Sequence, residues 1–155
     1  MTENERLIEH FYTSFQNKDY KSMQSCYADD ATFSDPVFVH LNAEQVRAMW
    51  EMFCVNSDGL KVEFSNIKST GINGSAEWIA TYIFSSTGNK VTNRITARFH
   101  FENGKIVKHT DSFDFYKWAR QALGVTGVLL GWTPLVKNKV RKLGIKTLNE
   151  FIKAK

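Results

Sequence analysis

Cysteine is scarce in this sequence: Cys26 and Cys54 are the only two among 155 residues. Two thiols with no ligand-like spacing build neither a disulfide framework nor a metal centre. Proline occurs twice, at Pro36, a bend or sheet-edge position, and at Pro134, a helix-opening position. No apolar run approaches the roughly 18 residues of a transmembrane helix, so no membrane span is expected. Met1 is followed by Thr2-Glu3-Asn4-Glu5, polar and acidic, which does not fit a secretory signal. A reducing cytoplasm with two free thiols is the expected location. No His/Cys/Asp/Glu set has ligand spacing, and the glycines near Gly71 and Gly124 lack phosphate-loop context. His10 and His40 stand alone, and no serine sits in a nucleophile elbow. Hence neither a metal nor a cofactor is expected, nor nucleotide or nucleic-acid binding.

What the chain does have is aromatic bulk. Aromatic residues make up 14% of it, and twelve of them are Phe. The length suits one domain with one core, and a Phe-rich core suits a domain wrapped around an apolar cavity. Charge is uneven. From Pro134 to Lys155 seven Lys or Arg face one Glu, a net +6; the total of +4 leaves −2 for the rest. The basic character belongs to the tail, where it reads as the solvated face of a packed helix.

Periodicity orders the elements. Leu7, Ile8, Phe11, Tyr12 and Phe15 form one face of a helix over residues 3–17. Asp19 caps a short second helix, and Ala28-Asp29-Asp30 reads as a turn. Residues 31–39 read as extended. Asn42 caps a third helix whose apolar face holds Val46, Met49, Trp50 and Phe53. Four strand-like runs follow, over residues 60–69, 75–86, 90–101 and 105–116, separated by Gly/Asn-rich turns. Helices followed by a meander predict an α+β fold: a cone-shaped, curved antiparallel sheet wrapped around N-terminal helices. The predicted organisation is a cone domain over residues 1–122 and, over 123–155, an apolar segment and a basic amphipathic helix packed on it. Gly144 is a possible interruption of that helix. The apolar stretch from Leu123 to Trp132 is expected to close the cone mouth or to pack on a second subunit.

Alternation on the last long run places Val107, His109, Asp111, Phe113 and Phe115 on one face, the more apolar one. His109 and Asp111 are therefore expected inside, with side chains about 7 Å apart. His100, beside Arg98, falls on the other face. A buried Asp near a His is either an internally satisfied polar pair or a proton-transfer group. Asp35, held extended by Pro36, is a second candidate carboxylate, or else a turn cap. Phe11, Tyr12, Phe15, Trp50 and Phe113 are the expected ligand-contacting residues.

The segment Tyr27-Ala28-Asp29-Asp30-Ala31-Thr32-Phe33-Ser34-Asp35-Pro36 resembles the one that ends in the catalytic Asp of ketosteroid isomerases. The order of helices and hairpins resembles the wider nuclear transport factor 2-like superfamily, which implies its cystatin-like cone. His109-Thr110-Asp111-Ser112-Phe113-Asp114 is similar to the H-W-D-x-x-D strand of SnoaL-like polyketide cyclases, with Thr110 in place of the usual Trp. The resemblance implies Asp35 as an isomerase-type base, or Asp111 as general acid/base with His109 orienting it. By offset, the isomerases' oxyanion donors fall on Phe11, next to Tyr12, and on Ala97, which argues against steroid isomerisation. The implied function is cofactor-independent proton transfer on a small apolar or carbonyl-containing molecule, of isomerase, cyclase or hydrolase type. A non-catalytic ligand-binding or protein-interaction module stays open. Sheet-to-sheet pairing in the superfamily implies a homodimer.

Overall fold

The computed structural model describes residues 1–57 and 59–155. Its elements in chain order are α1 (Glu3–Gln16), α2 (Tyr20–Ser25), β1 (Tyr27–Ser34), α3 (Ala43–Asn56), β2 (Lys61–Thr70), β3 (Asn73–Phe84), β4 (Asn89–Glu102), β5 (Lys105–Ser112), α4 (Phe115–Leu123), α5 (Val125–Leu130) and α6 (Pro134–Lys153). Local chemistry sets the helix starts. Thr2 and Asn42 each close a capping box with Glu5 and Gln45, and Asp19, Asp114 and Thr133 cap α2, α4 and α6.

The strands form one curved, unclosed five-stranded sheet in the order β1-β5-β4-β3-β2. The four strands of the meander pair antiparallel, as their hairpin turns dictate. The sheet as a whole is mixed, because β1 joins β5 in parallel. No tight turn links these two strands; β1 leads into α3 instead, so nothing local imposes an antiparallel partner. Ala28-Asp29-Asp30, expected as a turn, lies inside β1.

One face of α1 (Ile8, Phe11, Tyr12, Phe15) and one of α3 (Val46, Met49, Trp50) are fully enclosed against the concave side of the sheet. There they meet Trp78, Ala80, Ile95, Ala97 and Phe99. β5 bulges at Val107, the extra residue between the pairs His100–Lys108 and Phe101–Ile106. The bulge changes the parity of the strand: Ile106 faces the core and Val107 does not, while His109 and Asp111 keep the inward side. α6 is continuous through Gly144 and lies against α3, with Leu148 fully buried. A Cβ at Gly144 would sit 3.0 Å from Val37 Cγ1, so a glycine there lets the helix approach the Asp35–Phe38 turn closely.

Candidate functional site

His109 is 0% exposed and Asp111 4%. The imidazole is wedged among aromatic rings, with centroids 4.3 Å from Phe99, 4.9 Å from Phe33 and 5.9 Å from Phe11. Its two nitrogens have fixed partners: Nδ1 lies 2.7 Å from Tyr27 Oη and Nε2 lies 2.8 Å from Asp111 Oδ1. Trp50 Nε1 donates to Tyr27 Oη at 2.8 Å. The indole N–H can only donate, and it occupies a lone pair of the phenol oxygen. The phenol then donates to Nδ1, and Nε2–H donates to Asp111. This assignment satisfies every donor in a chain running from α3 through β1 to β5. Burial pushes the Tyr27 hydroxyl well above the usual phenol range, which keeps its proton in that chain.

Asp111 also faces a cavity of about 410 Å³, within the roughly 300–1,000 Å³ of small-molecule sites. Asp35 lines the same cavity from the loop after β1. Its Oδ1 accepts the backbone N–H groups of Val37 (2.7 Å) and Phe38 (2.6 Å), a tight Asx turn that fixes the carboxyl's direction. Oδ2 has no such partner among the described residues. Asp35 is only half-buried by its exposed surface, and it lines the cavity between β1 and α6. Burial pushes its pKa up to about 7. The two backbone N–H groups oppose that push, the negative charge of Asp111 adds to it, and Arg141 opposes it.

The remaining walls are mostly apolar: Phe15, Trp50, Phe53, Trp78, Ile95 and Phe113 from the cone, and Val140 and Leu143 from α6. Three of the five expected contact residues, Phe15, Trp50 and Phe113, line the cavity. Phe11 and Tyr12 do not; they are packed between α1 and the sheet, and the Tyr12 hydroxyl has no partner among the described residues. His109 has no place in the wall either and reaches the cavity only through Asp111. No residue from Leu123 to Trp132 lines the cavity, so the helix that closes it is α6 rather than the apolar stretch before it.

Sequence reasoning missed Tyr27, Tyr82 and Asn93. Tyr82 lines the cavity and accepts from Trp118 Nε1 at 2.7 Å, and burial keeps its own proton on. Asn93 is buried on the cavity side. The same counting by twos finds it: Val91, Asn93, Ile95, Ala97 and Phe99 share the inner face of β4, and Asn93 is its one polar member.

A SnoaL-like domain model matches residues 8–109. The chain belongs to the SnoaL-like domain family. Solved structures with the same fold include a LEH-like epoxide hydrolase of M. tuberculosis: 21% identity, 86% of this chain and 95% of that one, TM-score 0.65. IdmH, a candidate polyketide cyclase from Streptomyces antibioticus, is similar over 79% of this chain and 99% of its own, at 19% identity and TM-score 0.65. An NTF2-like protein of unknown function from Burkholderia pseudomallei covers 78% of this chain and 98% of its own, at 17% identity and TM-score 0.69. No functionally curated protein matches the sequence. At these identities the likeness establishes the fold and not a reaction.

Proposed function

We propose that this SnoaL-like chain is a cofactor-independent general acid/base enzyme acting on a small, largely apolar carbonyl compound. The observation that supports this reading is that two carboxyl groups, Asp35 and Asp111, face one apolar cavity while held by different partners. In the proposed step Asp111 takes a proton from the carbon next to a carbonyl, and the C–H electron pair moves into the enolate. In a substrate with a second carbonyl in reach, the enolate carbon bonds to that carbonyl carbon. The new alkoxide takes the Asp35 proton, which a carboxyl with a pKa of about 7 still carries in part at neutral pH. Asp111 is left protonated and Asp35 ionised, and exchange with water after release resets both. His109 is a positioning residue: its Nε2–H holds one Asp111 oxygen so that the other points into the cavity. Tyr82 supplies an O–H for a substrate oxygen. The candidate cyclase among the similar folds is compatible with such a ring closure.

Each carboxylate already has one oxygen occupied, by backbone amides or by imidazole, and that favours a second reading: a non-catalytic binder of the same ligands. Hydrogen–deuterium exchange at the α-carbons of a panel of apolar diketones, followed by NMR, separates the two. The enzyme reading expects exchange catalysed by the wild type and lowered about 100-fold or more in Asp111→Asn. Unchanged exchange in Asp111→Asn overturns the assignment; ligand binding without exchange in the wild type establishes the second reading.

A further inference from the structure

α5 is built inside out. Its small residues face the protein: a Cβ at Gly127 would lie 1.9 Å from the Ala119 carbonyl oxygen of α4, and one at Gly131 2.9 Å from Ala119 Cβ. Only glycine permits this approach, and it leaves every large side chain of the segment turned outward. Val125 is 75% exposed, Leu129 65%, Trp132 71% and Leu135 68%, with Val128 and Leu130 also exposed. The segment is tied down nonetheless. Tyr116 Oη donates to Val128 O at 2.8 Å, Trp132 Nε1 to Leu129 O at 3.1 Å and Thr133 Oγ1 to Leu130 O at 2.6 Å. Consecutive helical residues point about 100° apart. Exposure of Val128, Leu129 and Leu130 together therefore means that the helix projects as a knob rather than lining a groove. A contiguous apolar patch of this kind on a folded surface marks an interaction site.

The sequence on both sides of the knob is cationic. From Phe115 to Asn149 the chain has no Asp or Glu, and it carries Lys117, Arg120, Lys137, Lys139, Arg141, Lys142 and Lys146. Two copies meeting through this surface would bring like charges together. A convex apolar tip carrying a Trp, in a stretch of chain rich in Lys and free of Asp and Glu, matches the interface of an anionic bilayer: the tip enters the headgroup–acyl boundary and the cations meet lipid phosphates. No helix of the described residues is long and apolar enough to cross a membrane, so the contact is peripheral.

We propose that α5 and the N-terminal half of α6 dock this protein on anionic lipid surfaces. α6 runs from that face to the cavity wall, where Val140 and Leu143 line it. The ligand class is thereby narrowed to molecules that partition into lipid, a step that rests on the cavity being the ligand site. Docking itself is read without turnover, so it fails or stands apart from the proposed chemistry. The test is flotation of the full chain with vesicles of phosphatidylcholine alone and of phosphatidylcholine mixed with phosphatidylglycerol, at low and high salt. The wild type should float with the anionic vesicles and be released by salt. The pairs Leu129→Ser with Trp132→Ser, and Lys139→Glu with Lys142→Glu, should each weaken binding at least about tenfold, with circular dichroism confirming the fold. A wild type that ignores anionic vesicles overturns the proposal, as does an apolar pair that binds unimpaired. If sedimentation shows that the apolar pair instead converts a dimer into monomers, the occupant of the patch is a second copy.

Discussion

Asp35→Asn isolates the energetic cost of the half-buried carboxyl. In the unfolded chain this group titrates near 3.8; in the folded protein it is pushed up to about 7. The folded state therefore holds the Asp35 proton over a window in which the unfolded state has lost it. Between about pH 4 and pH 7 the unfolded state binds fewer protons, so stability falls as pH rises. The contribution is fully present below the unfolded value and is lost through the folded one. A difference of about three pKa units corresponds to at most about 4 kcal/mol, at about 1.4 kcal/mol per pH unit inside the window. Asn keeps an oxygen for the Val37 and Phe38 amides but carries no charge. Urea unfolding at several pH values from 4 to 8 should give similar stabilities for the two proteins at the acid end. A growing advantage for the variant is expected above it. Titrating groups that are not coupled to Asp35 are common to both proteins and cancel in the difference. Parallel stability–pH curves would refute the claim that burial raises this carboxyl.

Two further perturbations test the scaffold around the site. Tyr27→Phe removes the hydroxyl between Trp50 Nε1 and His109 Nδ1, leaving two buried nitrogens unpartnered. It should lower unfolding free energy by about 2–5 kcal/mol, read by urea titration, and shift the His109 ring resonances in NMR; a variant as stable as the wild type would show that the chain of bonds is not formed. Gly127→Ala places a methyl group against the Ala119 carbonyl. It should cost about 3 kcal/mol, whereas Thr126→Ala, at an exposed neighbour, should stay within about 0.5 kcal/mol. Equal unfolding midpoints for these two would mean that α5 does not pack on α4 as described.

Much of this architecture is legible residue by residue because the deciding chemistry is local. Asn42, Asp19 and Thr133 announce helix starts through their own side chains, and the Asn103-Gly104 turn sets the β4–β5 hairpin through two residues at positive φ. Counting by twos turns His109 and Asp111 inward because both lie on the C-terminal side of the bulge. Val107, the extra residue of the bulge itself, is where the same count fails. What escapes is what depends on distant neighbours. Tyr27 meets His109 across 82 positions, and no pattern within either segment encodes that bond. The parallel β1–β5 pairing escapes for the same reason, as does the choice of α6 over α5 to close the cavity.

That last choice bears directly on the proposed chemistry. The family match ends at residue 109, two positions short of Asp111. Beyond it lie Phe113 and Trp118 and the whole α6 contribution of Val140, Leu143, Gly144 and Thr147 to the cavity wall. Family membership therefore accounts for the cone and for the cradle around His109, while much of the cavity's character comes from the C-terminal part of the chain. Asp35 shows how. Arg141 Nε donates to Pro36 O at 2.9 Å, and Gly144 lets α6 press on Val37 and Phe38, so the helix closes over the turn that holds the carboxyl. Burial is the first cause of the raised pKa of Asp35. A chain with the same cone but without this helix would open that turn to water, and its Asp35 would return toward an ordinary, ionised carboxylate.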